Sequence, residues 1–309
     1  MTTILSEWRP IASLLVAVLL WASSFIALKL AFRAYDPMLV IFGRMAVAAC
    51  CFLLIFRGVK PAAIRKKDLK LILFMTLCEP CLYFLFEAQA LKNTTATQAG
   101  MITALLPLLV ALCAGLVLKE RVGGRTYFGF AVAIAGVCWL SLGAEPSFDA
   151  PRPLLGNFLE FSAMVCATGY TVSLKRLSAR YHPFFLAALQ SFIGSFFYLP
   201  LLFMGPPLGS LKIEVVPLSS ILYLGVFVTL GAYGAYNYGV SRMPASQASA
   251  FVNLIPVFAL ILGWIVLAER FTPMQYPASA LVFIGVFISQ QRKSPRRLAP
   301  PKTIDPGGS

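Results

Sequence analysis

Ten runs of about twenty predominantly apolar residues follow one another along the chain, separated only by short gaps. A helix needs about 20 such residues to cross a hydrocarbon core of roughly 30 Å. The runs cover residues 11–31, 37–57, 69–91, 97–118, 124–142, 154–174, 184–204, 217–240, 246–268 and 273–291. A lipid core offers the backbone no hydrogen-bond partners, so segments of this length must satisfy themselves as helices. Charged residues make up 12% of the chain, against about 25% in soluble domains, too few to coat a water-facing surface. The pattern predicts an all-α membrane protein of ten transmembrane helices. No gap could hold a folded soluble domain.

The first apolar run is too long for a signal peptide and lacks a small-residue cleavage site, so it is expected to stay as the first helix. The tail from Ser294 to Ser309 is rich in Pro, Arg and Lys, a composition expected to lack fixed structure.

The net charge of +14 raises the question of a nucleic-acid partner. No basic helix or aromatic-basic stripe stands in a soluble segment, so none is expected. The positive residues lie between the apolar runs instead. With both termini in the cytoplasm, 19 Lys and Arg fall on the inside and 5 on the outside, namely Arg33, Lys92, Arg152, Lys212 and Arg270. That bias sets the expected orientation in a bacterial-type inner membrane.

All seven cysteines fall inside apolar runs, which argues against a disulfide framework. Cys78-Glu-Pro-Cys81 has CxxC spacing but no second ligand pair, and reads as two small apolar side chains in a span. His182 is the single histidine, so no metal site is expected. No Gly-rich phosphate loop with its Lys appears, and no cofactor is expected.

The chain also repeats itself. Shifted by 149 residues, the segment from Ala96 to Val137 falls on Ala245 to Val286 without a gap, with 13 of 42 positions identical. Gln98 meets Gln247, Pro107 meets Pro256, Glu120-Arg121 meets Glu269-Arg270, and Gly136 meets Gly285. The repeating unit is five helices. Because five is odd, the second copy starts on the opposite face, which predicts two inverted repeats and alternating access to a site near the midplane. The expected organisation is an N-terminus over 1–10, a first repeat over 11–142, a linker over 143–153, a second repeat over 154–291 and a basic tail over 292–309.

These residues resemble the EamA family of the drug/metabolite transporter superfamily over about residues 10–291. The resemblance rests on Leu20-Trp21-Ala22-Ser23-Ser24-Phe25, Asp36-Pro37 followed by Arg44, and a doubled pattern. That pattern is Leu105-Leu106-Pro107-Leu108 with Glu120-Arg121, then Leu254-Ile255-Pro256-Val257 with Glu269-Arg270. Ala22 stands where a glycine is common, and the Glu79-Pro80 step is not a recognised signature. The resemblance implies ten helices, cytoplasmic termini and export of small metabolites such as amino acids.

Ionisable groups inside a membrane cost about 2.5–3.5 kcal/mol each, so they are functional candidates by default. Arg44 lies about 10 Å deep, Glu87 about 6 Å and Glu160 about 9 Å, all from the outer face. Arg44 can reach Glu87, Glu160 or Glu79, as a structural pair or as an anion contact. Glu79 sits near mid-depth, about 18 Å from the outer face, and precedes Pro80, which removes an intrahelical bond. It is a candidate to carry a proton or to bind a substrate ammonium, with a structural role as the alternative.

Trp21, Ser24, Tyr83, Tyr170, Tyr233, Tyr236, Asn237, Asn253 and Trp264 are candidates to line the pathway, or else to act as interhelical glue. Tyr233, Tyr236 and Asn237 share one face of span eight. Pro107 and Pro256 are expected to kink or break equivalent helices beside the cavity. Glu120 and Glu269 are expected to cap or orient the tight turn into the helix that follows each. The chain is read as a secondary transporter, not an enzyme, exporting a small amphipathic or zwitterionic solute with or without proton exchange. Uptake of a nutrient, or a membrane sensor or enzyme, are the alternatives.

Overall fold

The computed structural model describes residues 2–55, 63–118, 123–204 and 213–290. The basic tail, Glu120 and Arg121 lie outside these residues. Within them the chain forms ten helical rods: α1 (Thr2–Phe32), α2 (Pro37–Ile55), α3 (Lys66–Asn93), α4 (Ala96–Val117), α5 (Gly124–Leu142), α6 (Pro153–Leu177), α7 (Pro183–Phe203), α8 (Val215–Arg242), α9 (Ala245–Leu267) and α10 (Gln275–Gln290). Each predicted run coincides with one rod. Eight are long and apolar enough to cross a membrane. The other two are α6, whose apolar face is interrupted by Asn157 and Glu160, and the shorter α10. The chain folds as an all-α membrane protein.

Polar contacts sort the connections to two ends of the bundle. At one end the Lys29 ammonium donates to the Asp149 carbonyl (2.6 Å), Glu214 N–H to the Tyr35 hydroxyl (3.1 Å), and Arg152 N–H to the Asn93 carbonyl (3.2 Å). Nearby, Asn157 donates to Gln98 (2.9 Å) and Ser141 (3.1 Å), tying α6 to α4 and α5. At the other end Arg180 pairs with Asp68, Lys175 donates to the Val240 (3.0 Å) and Met243 (2.7 Å) carbonyls, and Arg176 to the Val117 carbonyl (2.7 Å). Successive helices therefore run in alternate directions.

Helices α5 and α10 pack as a pair through small residues. A Cβ on Gly136 would lie 2.7 Å from the Val282 backbone nitrogen, so the two backbones touch there. Without a hydrophobic drive between helices in lipid, such close approach is what holds them.

Four of the other helices are irregular at equivalent places. In α3 the turns widen over Leu77–Leu82, and Glu79 leaves helical geometry altogether (φ −148°, ψ 118°). In α8 the turns widen over Leu224–Ala232. In α4 a tight turn at Thr103–Leu105 precedes a helix restarting at Leu106, and in α9 a tight turn at Phe251–Leu254 precedes one restarting at Ile255. Pro107 and Pro256 occupy the second residue of those restarted segments, where the absent N–H would have had no partner.

Candidate functional site

The four irregular helices, with α1, α2 and α6, line a cavity of about 490 Å³ when its open mouth is included. Six of the predicted pathway residues line it: Trp21, Ser24, Tyr83, Tyr170, Tyr233 and Tyr236. Three predicted charges, Arg44, Glu79 and Glu87, line it too. The rest of the wall is apolar apart from Thr103 and Thr171, with Phe25, Leu106, Met164 and Ile255 among its members.

Glu79 reaches the cavity because α3 breaks at its own residue. The break frees backbone carbonyls, and α7 supplies their partners. Gln190 donates to the Glu79 carbonyl (2.9 Å), and the Tyr198 hydroxyl to the carbonyl of Cys81. Irregular backbone at membrane depth is tolerated only where protein groups satisfy it in this way. The Glu79 carboxylate accepts a hydrogen bond from the Tyr233 hydroxyl across the cavity. Cys78 and Cys81 flank the break as free, buried thiols.

Arg44 is 1% exposed. Its Nε donates to Thr229 Oγ1 (3.0 Å) in the widened part of α8, and its guanidinium lies 4.4 Å from the centre of the Phe84 ring. Its nearest carboxylate is Glu87, at 4.0 Å, too long for a strong charge-assisted bond. Glu87 accepts instead from the Tyr83 hydroxyl (2.9 Å).

The aromatic residues form one cluster. The Trp21 ring lies 5.3 Å from Tyr233 and 4.7 Å from Tyr236, and Tyr170 lies 6.2 Å from Tyr233, all within aromatic contact. The indole N–H of Trp21 is buried without a hydrogen-bond partner, which leaves a donor at the cavity wall.

The remaining predicted residues lie elsewhere. Asn237 stands behind the wall, where it accepts from the Tyr170 hydroxyl and donates to the Pro183 carbonyl (3.3 Å). Asn253 is half-buried outside the lining, although its neighbour Val252 is part of it. Glu160 is fully buried, also outside the lining.

Two expectations are corrected. Trp264 is 59% exposed on the outer face of α9 and belongs to the lipid-facing surface, because it lies on the side of the helix opposite the core residues Ala259 and Gly263. Glu269 does not cap the helix that follows it. Its carboxylate crosses to the first half and accepts from the backbone N–H groups of Ala96 (2.9 Å) and Thr97 (2.8 Å) and from the Thr97 hydroxyl (2.6 Å). The start of α4 presents unpaired N–H groups and the positive end of a helix dipole, and these outcompete the local turn.

Sequence reasoning missed Thr229, Gln190 and Tyr198. Gln190 carried a usable signal, a lone amide inside an apolar run. Thr229 carried none, since an isolated Thr in a span is ordinary.

Comparison with known proteins adds an independent line. The model of the EamA-like transporter family matches residues 8–142 and again 154–290. An uncharacterized transporter of Archaeoglobus fulgidus is 28% identical, covering 94% of this chain and 100% of its own length. The uncharacterized transporter YetK of Bacillus subtilis is 28% identical over 75% of this chain and 71% of its own. A probable terminal-alkyne amino-acid exporter of Streptantibioticus cattleyicolor is 25% identical over 94% of this chain and 96% of its own. A solved crystal structure shares the fold with a TM-score of 0.66 at 20% identity, covering 91% of this chain and 98% of that one.

Proposed function

The chain belongs to the EamA-like transporter family, and from that premise we propose that it exports a small zwitterionic metabolite, an amino acid or a related amphipathic solute, by alternating access. The proposal includes ten spans in two inverted five-helix repeats, both termini in the cytoplasm, in a bacterial-type inner membrane.

The observation that carries it is a pair of opposite charges in one aromatic cavity. Arg44 and Glu79 both line the wall. Arg44 is held by Thr229 through Nε, which leaves its terminal nitrogens for a solute carboxylate. Glu79 is offered to a solute ammonium, or to a proton when the solute has left. The free Trp21 N–H adds a donor, and the Trp21, Tyr233 and Tyr236 rings supply a surface for an apolar side chain. The name of the S. cattleyicolor relative supports amino-acid chemistry and the outward direction. The matched irregularities in α3 and α8, and in α4 and α9, support a mechanism in which the two halves exchange conformations.

The test is the extracellular metabolite profile of cells overproducing the protein, wild type beside Glu79→Gln, at matched membrane levels. The wild type is expected to release a defined amino acid or related solute and the variant to release none. Accumulation of labelled solute inside the cells would reverse the direction. Normal release by Glu79→Gln would remove Glu79 from the mechanism.

A further inference from the structure

Among the described residues, one guanidinium and three carboxylates are at most 3% exposed: Arg44, Glu79, Glu87 and Glu160. Arg44 can balance only one of them. Glu79 faces the cavity, and Glu87 is the carboxylate nearest Arg44. Glu160 is left over. It is 0% exposed, neither of its oxygens has a hydrogen-bond partner, and it takes no part in the cavity wall.

Among the described residues, its surroundings offer no compensating charge. From α3, Glu87 and Tyr83 face it, and the Oε2 of Glu87 is itself without a hydrogen bond. Helix α4 carries no charged residue along its described length. Helix α8 meets α6 at Tyr170 and Thr171, through Asn237 and Tyr236, about 15 Å further along the axis by helical rise. Helix α5 meets α6 at Asn157 through Ser141. A bare carboxylate ion in such a place is strongly disfavoured, so the site calls for a cation of its own.

A metal cation needs about six oxygen ligands, and membrane carriers draw them from unwound backbone. Helix α6 is continuous from Pro153 to Leu177. The carbonyls freed at Glu79 and Cys81 are already taken by Gln190 and Tyr198. A proton needs only one oxygen, and both oxygens of Glu160 are open to it. We propose that Glu160 is a proton-binding site in its own right, behind the cavity wall, holding a neutral carboxylic acid in the neighbourhood of Glu87.

The site has a consequence for the cavity, and this consequence alone rests on the solute reading above. Departure of the proton would set two anions side by side. Arg44 would be drawn toward them and away from the solute. Proton occupancy at Glu160 would thus tune anion binding in the cavity from behind.

The test needs no solute, so its failure is separable from failure of the export reading. Infrared spectra of the purified protein in lipid are recorded across pH. The wild type is expected to show a protonated-carboxyl absorption near neutral pH that Glu160→Gln loses and Glu79→Gln keeps. Identical spectra for wild type and Glu160→Gln would overturn the proposal. So would loss of the absorption on adding sodium or potassium at constant pH, which would make a metal cation the ligand. Should Glu160→Gln fail to assemble, Glu160→Asp gives the reading: a shifted band supports the site, an unmoved one sinks it.

Discussion

The third helix of each half loosens at mid-length, but the two do so with different chemistry. Helix α3 opens at a Glu-Pro step, carries an acid into the cavity and borrows Gln190 and Tyr198 to satisfy its backbone. Helix α8 widens over Leu224–Ala232, a stretch without a charge, and offers Thr229 to Arg44 and then Tyr233 to Glu79. The loosened backbone is common to both halves, as a conformational exchange between them requires. The charge is confined to one. On our reading, geometry is the shared machinery and the acid of α3 is what meets the solute.

The sharpest way to break that contrast is to disarm each site separately. Glu79→Gln should lower export at least about tenfold, a loss of roughly 1.4 kcal/mol or more in transition-state terms. Thr229→Val keeps Arg44 in place through Phe84 and should lower export only about twofold to threefold. Equal losses in a transport assay at matched membrane levels would mean that the acid of α3 has no special place.

A second contrast concerns stability. Gln190→Leu combined with Tyr198→Phe leaves the carbonyls of Glu79 and Cys81 without these donors. Each orphaned buried carbonyl costs about 1–3 kcal/mol, so the melting temperature in detergent should fall by several degrees. Thr229→Val should shift it by less than half as much. If the double variant melts like the wild type, the break in α3 satisfies itself and the role given to α7 is wrong.

Smaller again is the tie between the halves at Glu269. In Glu269→Gln one oxygen still accepts, but the amide nitrogen then faces the N–H groups at the start of α4. The expected cost is about 1 kcal/mol, that of a lost helix cap, read as a modest drop in melting temperature with export retained. Loss of export at unchanged stability would instead make this tie part of the conformational cycle.

The ten rods were legible in the sequence because run length is a local rule, and Pro80, Pro107 and Pro256 marked the irregular places in α3, α4 and α9; the widening of α8 was not legible, since no proline stands in Leu224–Ala232. Arg44 and Glu79 stood out in the sequence because a charge inside an apolar run is expensive. The lipid exposure of Trp264 was not legible, since span nine is apolar on every side and its sequence does not say which face meets the core. Nor was the reach of Glu269 to Ala96, a contact across 173 residues. Repeat symmetry pairs Glu269 with Glu120 but does not say which helix start either would find.

The smallest effect is expected where α9 ends. Ala268 has φ 56° and ψ 24°, left-handed backbone that lets the chain leave the helix and turn Glu269 toward α4. A side chain in that region costs roughly 1–2 kcal/mol, whereas glycine adopts it freely. Glycine also loosens the unfolded chain, which returns about 0.4–1 kcal/mol. Ala268→Gly should therefore stabilise the protein by about 0.5–1 kcal/mol and raise its melting temperature by a degree or two. Export should be unchanged, because the substitution keeps both the turn and the Glu269 carboxylate. A melting temperature that falls would show that the alanine methyl makes contacts worth more than the strain it carries. A rise accompanied by slower export would place the strain in the cycle itself, as something the end of α9 releases when the halves exchange.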